Sequence, residues 1–362
     1  MKQHLKQYLD FVYSAQNQLV NDRIGLKSTA NKRYCDIPPG MDVKQLITFQ
    51  KEILEMEYNG LHAGLTFLWQ HPNKTYISTL KKIGLGATHG TSIKWQIKTG
   101  ASYSVAVKND KNILDIIDPS EQVPINYDLF AGNLGQSLVD DFTEALSQNA
   151  QLLMKKLGLK KKDQSDAMKI MEYIVETVKK EYYGSKRPIM FEIPGTQGWS
   201  MFPSPSQFSE LTAMVQSIFP QALFCIDVGH LLTWKQSGVS LKSLLDSIYL
   251  LKKTIGMIHI SSAGSINPDF KFAYQQEHLG NNPDWHLNGL DLMLAVHEKD
   301  MIDIIKEIRL QTRGNNVIEV CETRKPSTAV ADYFQTVPLH EINDGPYLMS
   351  LKLQAKLLGY SI

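Results

Sequence analysis

The C-terminal half of the chain alternates short, continuous apolar runs with longer amphipathic segments. The apolar runs predict strands over residues 188–193, 222–228, 256–261 and 316–321. Apolar side chains recurring at helical spacing predict helices over residues 206–219, 240–253 and 301–310. Strands that are apolar on both faces are typical of parallel sheets covered by helices on both sides.

The strand–helix unit repeats at a steady interval. Glu192 and Asp227 are 35 residues apart, and Asp227 and His259 are 32 residues apart. About eight such units would fill most of the chain, which predicts an α/β fold, a (β/α)8 TIM barrel, as one domain over residues 1–362. A doubly wound open sheet is the structural alternative, but the sequence lacks its glycine-rich phosphate turn.

The N-terminal half has weaker patterns. We expect its strands over residues 23–27, 60–67, 83–89 and 125–130. We expect its helices over residues 42–56, 138–157 and 166–182. Because two helices then separate consecutive strands, residues 155–182 are expected to form a helical insertion in the barrel. The segment 347–358 is expected to form a C-terminal helical tail.

Composition narrows the class of protein. The chain is 43% apolar and 21% charged, as in an average soluble protein, and its net charge of +1 excludes a strongly basic field over the whole molecule. Its cysteines, Cys35, Cys225 and Cys321, form no CxxC pair, so a disulfide framework is not indicated. We find no signal peptide and no run long enough to cross a membrane, and we expect a cytoplasmic protein without a membrane partner. The sequence leaves the oligomeric state open.

Polar residues interrupt the predicted strands at one end. Glu192, Asp227, His259 and Glu319 lie in or directly after apolar runs, and His230 follows Asp227 by three positions. The carboxyl ends of barrel strands form one rim, so these side chains are expected to converge. A carboxylate is costly to bury unless it is paired or binds a metal. The set therefore predicts a divalent cation held by carboxylates and imidazoles.

A polar loop between the last two of these strands adds two candidate ligands. Asp284 and His286 form a D-x-H pair that can place both side chains on one ion. His278 competes for the same role.

The motifs FEIPGTQG, CIDVGH, IHISS, DWH and VIEV, in this order, resemble the xylose-isomerase-like TIM barrel superfamily. That superfamily includes endonuclease IV and sugar isomerases and epimerases. The resemblance covers roughly residues 186–322, so residues 185–322 are expected to form the metal-binding half. It implies a divalent metal cofactor, zinc first, with manganese, iron or magnesium as alternatives.

The resemblance also implies roles for single residues. Glu192 matches the carboxylate that ligates metal and, in endonuclease IV, bridges two ions, and Asp227, His259 and Glu319 match the other ligands of the shared metal. His230 matches a ligand of a third zinc in endonuclease IV or a substrate-binding histidine in the epimerases. Asp284 and His286 match the pair that completes the third site.

The chain also departs from the endonuclease IV pattern. That family supplies two histidines from earlier strands, for which His62 and His89 are the candidates in poorly matching surroundings. Ala131 stands where the family often has a histidine, and a site for one or two metals follows if that position is the true equivalent. A branch of iron-dependent barrels that modify peptides shares the same layout.

Three functions therefore stay open at this point. The first is a metal-dependent phosphodiester hydrolase of the endonuclease IV type that acts on nucleic acid, with Glu192 and Glu319 as catalytic residues. The alternative is a metal-dependent sugar isomerase or epimerase, in which Glu192 and Glu319 exchange a proton next to a carbonyl. The second alternative is an inactive barrel that serves as a binding module. A serine nucleophile is not indicated, because the G-x-S-x-G elbow is missing from the sequence.

Overall fold

In the computed structural model, eight parallel strands form a closed barrel. The structure describes residues 32–37, 61–65, 74–83, 85–93, 102–129, 152, 155–158, 164–195, 204–236, 238–260, 262–263, 286–287, 298–313 and 315–321. The barrel strands are β1 Lys32–Ile37, β2 Leu61–Leu65, β3 Leu85–His89, β4 Ile125–Asp128, β5 Ile189–Glu192, β6 Leu223–Asp227, β7 Ile255–Ile260 and β10 Ile318–Cys321. Each strand pairs with the next along the chain, and β10 closes the barrel against β1.

A short antiparallel pair follows β7. It consists of β8, Ser262–Ala263, and β9, His286–Leu287. The pair lies beyond the carboxyl end of β7, on the side of the barrel where the predicted metal ligands are found.

Helices surround the barrel. They are α1 Lys74–Ile83, α2 Tyr103–Ile117, α3 Gln164–Glu181, α4 Phe208–Ile218, α5 Val228–Gln236, α6 Leu241–Leu251 and α7 Glu298–Gln311. Neighbouring helices pack in the order α1, α2, α3, α4, α6 and α7. Helix α6 begins as its sequence predicts, because the Ser240 side chain accepts a hydrogen bond from the amide of Ser243. Among the described residues, no helix is both long and apolar enough to cross a membrane.

The parallel α/β barrel predicted from the sequence is confirmed, with one difference in its strands. The first barrel strand is Lys32–Ile37, whereas the pattern predicted residues 23–27. Its sequence, KRYCDI, mixes charged and apolar residues, so it lacks the continuous apolar run that marks the other strands. Residues 23–27, 42–56 and 347–358, and most of 138–157, lie outside the described residues.

The helix within the predicted insertion belongs to the barrel itself. Helix α3 covers most of residues 155–182, and it packs between α2 and α4. Strands β4 and β5 pair directly with each other. Helix α3 therefore occupies the place of the helix that connects them, and any additional chain in this connection precedes it.

The barrel interior is built in layers by strand alternation. One buried layer consists of Ala87, Met190, Cys225, Met257 and Val320. Two positions further along β3, β5, β6 and β7, the same face carries His89, Glu192, Asp227 and His259. The apolar layer thus forms a floor beneath a layer of metal-type ligands.

Candidate metal centre

The structure brings five of the proposed ligands together at the carboxyl end of the barrel. They are His89, Glu192, Asp227, His230 and His259, and each is at most 6% exposed. Four of them end or nearly end a strand, and His230 lies in the first turn of α5. The convergence follows from the barrel, since residues far apart in sequence end parallel strands at one rim.

Glu192 lies at the centre of this cluster. Its Oε2 is 3.4 Å from Nδ1 of His259 and 3.8 Å from Nδ1 of His89, whereas its Oε1 is 3.3 Å from Nδ1 of His230. Two groups of donor atoms result, each with its atoms within 4.8 Å of one another. One group contains His89, Glu192 and His259, and the other contains Glu192, Asp227 and His230. The single carboxylate of Glu192 belongs to both.

The sharp transition from β6 to α5 positions Asp227 and His230. The Oδ1 atom of Asp227 accepts hydrogen bonds from the amides of Gly229, at 2.6 Å, and His230, at 3.3 Å. This carboxylate therefore caps α5 and lies at the positive end of its dipole. The Nδ1 atom of His230 is 2.9 Å from the carbonyl oxygen of Ile193. A proton on Nδ1 can be shared between that carbonyl and Oε1 of Glu192. Nε2, which lies 3.9 Å from Oδ2 of Asp227, is then the nitrogen that can bind a cation.

Gly195, the first glycine of the GTQG motif, allows the chain after β5 to run against α5. A Cβ atom at this position would lie 2.5 Å from Oγ1 of Thr233 and 3.1 Å from Cα of His230. The same segment accepts a hydrogen bond at its Pro194 carbonyl from Nε1 of Trp234, at 3.3 Å. The glycine thus has a packing role that keeps His230 close to Glu192.

The two remaining imidazoles lie side by side. The ring centroids of His89 and His259 are 4.3 Å apart. The Nε2 atom of His259 is 3.2 Å from Sδ of Met257, which belongs to the apolar floor. Nδ1 of His259 is therefore the nitrogen on the side of Glu192.

Charge is concentrated in this buried space. Burial raises the pKa of Glu192 to about 8, and Asp128 and Asp227 add to that rise while His259 and His230 oppose it. Burial lowers the pKa of His230, but the carboxylates of Asp227 and Glu192 outweigh it and raise the pKa to about 9. A divalent cation would remove the repulsion between the carboxylates, and mixed imidazole and carboxylate donors fit zinc and related transition metals. The residues present therefore fit the metal that the sequence motifs imply.

Glu319 does not join the cluster, and its prediction as a ligand and catalytic residue needs correction. Its carboxylate accepts two hydrogen bonds from Arg309 of α7, from Nε at 2.8 Å and from Nη2 at 2.9 Å. The physical reason is alternation along β10: Val320 lies in the interior floor, so Glu319 lies on the outer face of the barrel.

The structure only partly describes the other candidates. Residue His62 lies in a register row with Tyr34, Val320 and His259, as the strand pairing shows. His286 lies in β9, where it pairs with Ala263. The structure describes the backbone but not the side chains of His62 and His286. It does not describe the other candidates, which are Ala131, His278 and Asp284.

Two residues of the site were missed in the sequence. Asn126 of β4 donates a hydrogen bond from Nδ2 to Oε2 of Glu192 at 2.5 Å, and Asp128 lies in register with Glu192. The sequence INYD of β4 places polar residues at every second position. That alternation within an otherwise buried strand was the pattern that could have found them.

Comparisons with known proteins concern the fold. No protein-family model and no curated protein sequence matches the chain. Matching solved structures include the 3-keto-D-glucoside 4-epimerase YcjR from E. coli, at 10% identity and a TM-score of 0.46 over 86% of this chain and 99% of that one. They also include a xylose isomerase domain protein from Alicyclobacillus acidocaldarius, at 10% identity and a TM-score of 0.45 over 90% and 99%. AsfvAP:AG matches at 12% identity and a TM-score of 0.47 over 90% and 98%.

The matched structures thus include a xylose isomerase domain protein and a sugar epimerase, the kinds of protein that the sequence motifs resemble. These similarities are low, so they add nothing about the activity of this chain. The geometry around Glu192 is the feature of the molecule that indicates a function.

Proposed function

We propose that the protein is a divalent-metal-dependent hydrolase of phosphodiester bonds in nucleic acid, of the endonuclease IV type. The observation that carries the proposal is the shared carboxylate of Glu192. Its two oxygens face different imidazoles, Oε1 towards His230 and Oε2 towards His259 and His89. This is the arrangement expected of a carboxylate that bridges two cations.

The two donor groups would each hold one cation. His89, Glu192 and His259 would hold the first cation, and Glu192, Asp227 and His230 would hold the second. When bound, two neighbouring cations supply the positive charge that stabilises the attacking and leaving oxygens of an in-line displacement at phosphorus. Zinc is the first candidate metal, with manganese, iron or magnesium as alternatives, because three of the five donor residues are imidazoles.

His89 adds support for the hydrolase. The resemblance to endonuclease IV implies histidines from earlier strands, and His89 at the end of β3 lies beside His259. Residue His62 of β2 lies in the same register row as His259. These positions favour a site for more than one metal.

The protein supplies a dry, preorganised setting for this chemistry. Glu192, Asp227 and His259 are each at most 3% exposed, so their charges act at low local dielectric. The side chains of the apolar floor beneath them are each at most 3% exposed. Substrate would approach from the carboxyl end of the strands.

The proposal is tested by incubating the purified protein with a duplex that contains an abasic site, in the presence of zinc or manganese. We expect incision of the strand next to the abasic site, and loss of at least 100-fold in rate for Glu192→Gln. Lys306→Gln, at an exposed position of α7, is the control and should keep full activity. Absence of incision at every metal loading would remove this proposal.

A second candidate is a metal-dependent sugar isomerase or epimerase. Strand β4 favours the isomerase or epimerase. Its described residues Asn126 and Asp128 lie beside Glu192, and none of its described residues is a histidine. A single cation on Glu192, Asp227 and His259 would suffice to polarise a ketose. Since Glu319 lies outside the barrel, it cannot be the second proton-transfer group. Deuterium incorporation from heavy water into a panel of ketoses would distinguish this function from hydrolysis.

Elemental analysis of the purified protein separates all three candidates. Two or three metals per chain support the hydrolase, and one supports the isomerase. The inactive binding module predicts none.

A further inference from the structure

We infer that Asn126 is a positioning residue that fixes the orientation of the Glu192 carboxylate between the two donor groups. The inference rests on the proposed role of Glu192 as a metal-bridging carboxylate. It concerns a side chain that is not itself one of the five donor residues.

Asn126 is fully buried, and it lies in the strand between His89 and Glu192. Its register partners are His89 on β3 and Met190 on β5. Strand alternation places its side chain on the same face as Asp128, opposite to Tyr127. From there Nδ2 reaches Oε2 of Glu192 at 2.5 Å.

The main chain of the same residue holds the other side of the cluster. The carbonyl oxygen of Asn126 accepts a hydrogen bond from the amide of Gly90 at 2.8 Å. Gly90 follows His89 directly. One residue of β4 therefore links the segment that carries His89 to the carboxylate of Glu192, and a change in its position would move both.

An amide suits this position for electrostatic reasons. A carboxylate has about four lone-pair directions, so a hydrogen bond to Oε2 leaves others open to a cation. The neutral amide adds no negative charge to a cluster that already contains Glu192 and Asp227. It also does not compete with a cation, as a lysine or arginine would.

The other polar atom of the amide is its oxygen. Among the described residues, Oδ1 of Asn126 has no hydrogen-bond partner, although it is buried. Buried amide oxygens nearly always have a donor, including ordered water. Within the described part of the chain, the hydrogen bond from Nδ2 to Glu192 is therefore the contact that orients this amide.

The test compares Asn126→Leu with Tyr127→Phe. Leucine has nearly the size of asparagine but cannot donate to Glu192. Tyr127→Phe removes a buried hydroxyl from the opposite face of the same strand, where it contacts the hydroxyl of Tyr182 at 3.2 Å. The same hydroxyl lies 3.5 Å from Oδ2 of Asp110. Because phenylalanine keeps the ring that packs against Gly90, the control removes a buried hydrogen bond without changing the packing beside His89.

Affinity for zinc is measured by chelator competition, and the absorption spectrum of the cobalt-loaded protein reports ligand geometry without any need for activity. We expect Asn126→Leu to weaken zinc binding 10- to 100-fold and to shift the cobalt spectrum, because Glu192 loses a hydrogen bond that orients its carboxylate. Tyr127→Phe should leave both unchanged. Equal affinity and an identical spectrum for the two variants would overturn the inference.

Two further measurements keep the result interpretable. Asn126→Ser, whose hydroxyl is too short to reach Oε2, replaces the leucine variant if that variant does not fold, and the same losses are expected. Wild-type protein and Glu192→Gln are titrated in parallel. If wild type binds neither zinc nor cobalt, the proposed function fails. If wild type binds zinc, Glu192→Gln does not, and the Asn126 variants bind zinc as tightly as wild type, the positioning role of Asn126 fails and the proposed function stands.

Discussion

Glu192 and Glu319 are both buried acids within apolar strand runs, yet they have different partners. Glu192 lies among the imidazoles of the barrel interior, and Glu319 pairs with the guanidinium of Arg309 on the outer face. A shift of one position along a strand moves a side chain to the other face. A buried carboxylate within a strand therefore indicates a charged or metal partner. The face of the strand on which the carboxylate lies decides which partner it has.

Loss of the Glu319 carboxylate should affect stability rather than the metal cluster. We expect Glu319→Gln to lower the free energy of unfolding by about 3 kcal/mol, because it removes a carboxylate that pairs with the buried guanidinium of Arg309. Urea denaturation measures this loss, with the exposed Lys306→Gln as control. Zinc affinity should stay within twofold of wild type. A large loss of zinc from the folded variant would return Glu319 to the list of ligands.

At the scale of elements, helix α2 holds the chain where it leaves β3. Asp110 of α2 accepts a hydrogen bond from the amide of Thr91 at 2.7 Å, two residues after His89. Gly90 lies so close to the ring of Tyr127 that a Cβ atom at this position would overlap the ring. The position of His89 thus depends on helix α2 and strand β4, as well as on its own strand, β3.

Asp110 should make stability depend on pH. Burial raises its pKa to about 8, against the hydrogen bonds from Thr91 and Tyr127, which lower it. The folded protein then binds more protons than the unfolded chain between about pH 4 and pH 8, so the free energy of unfolding falls as pH rises through that range. The slope is at most about 1.4 kcal/mol per pH unit.

We expect Asp110→Asn to remove this contribution. Urea denaturation at several pH values from 5 to 8 should give a shallower decline for the variant than for wild type. Asp246→Asn, at an exposed position of α6, should keep the wild-type slope. Parallel curves for Asp110→Asn and wild type would contradict the assignment of a protonated Asp110.

At the scale of the whole molecule, a metal bound between strands should stabilise the barrel. The five donor residues come from β3, β5, β6, β7 and the start of α5, so a cation would connect elements from residue 89 to residue 259. A ligand at 100 times its dissociation constant stabilises the folded state by about 2.7 kcal/mol. We expect zinc to raise the melting temperature of wild-type protein and EDTA to reverse the rise, with no response in Glu192→Gln. A melting temperature that does not respond to zinc in wild type would argue against a site between these strands.

Much of the architecture could be predicted because its pattern is local. Continuous apolar runs marked β5, β6, β7 and β10 within a residue or two, and helical periodicity marked α3, α4, α6 and α7. The pattern did not predict the strand Lys32–Ile37, because its charged residues interrupt the apolar run. Likewise, the residue type of Asn126 does not by itself indicate a role at the site. Its role depends on its contact with the carboxylate of Glu192, 66 residues away.

The sequence by itself determined a repeating strand–helix chain with acids and imidazoles at strand ends, because secondary structure and burial follow from the spacing of apolar residues. Only the tertiary structure decided which of those residues share a space. Closing eight strands into a ring sets the register between them, and the register turns Glu192, Asp227 and His259 inward while it turns Glu319 towards Arg309.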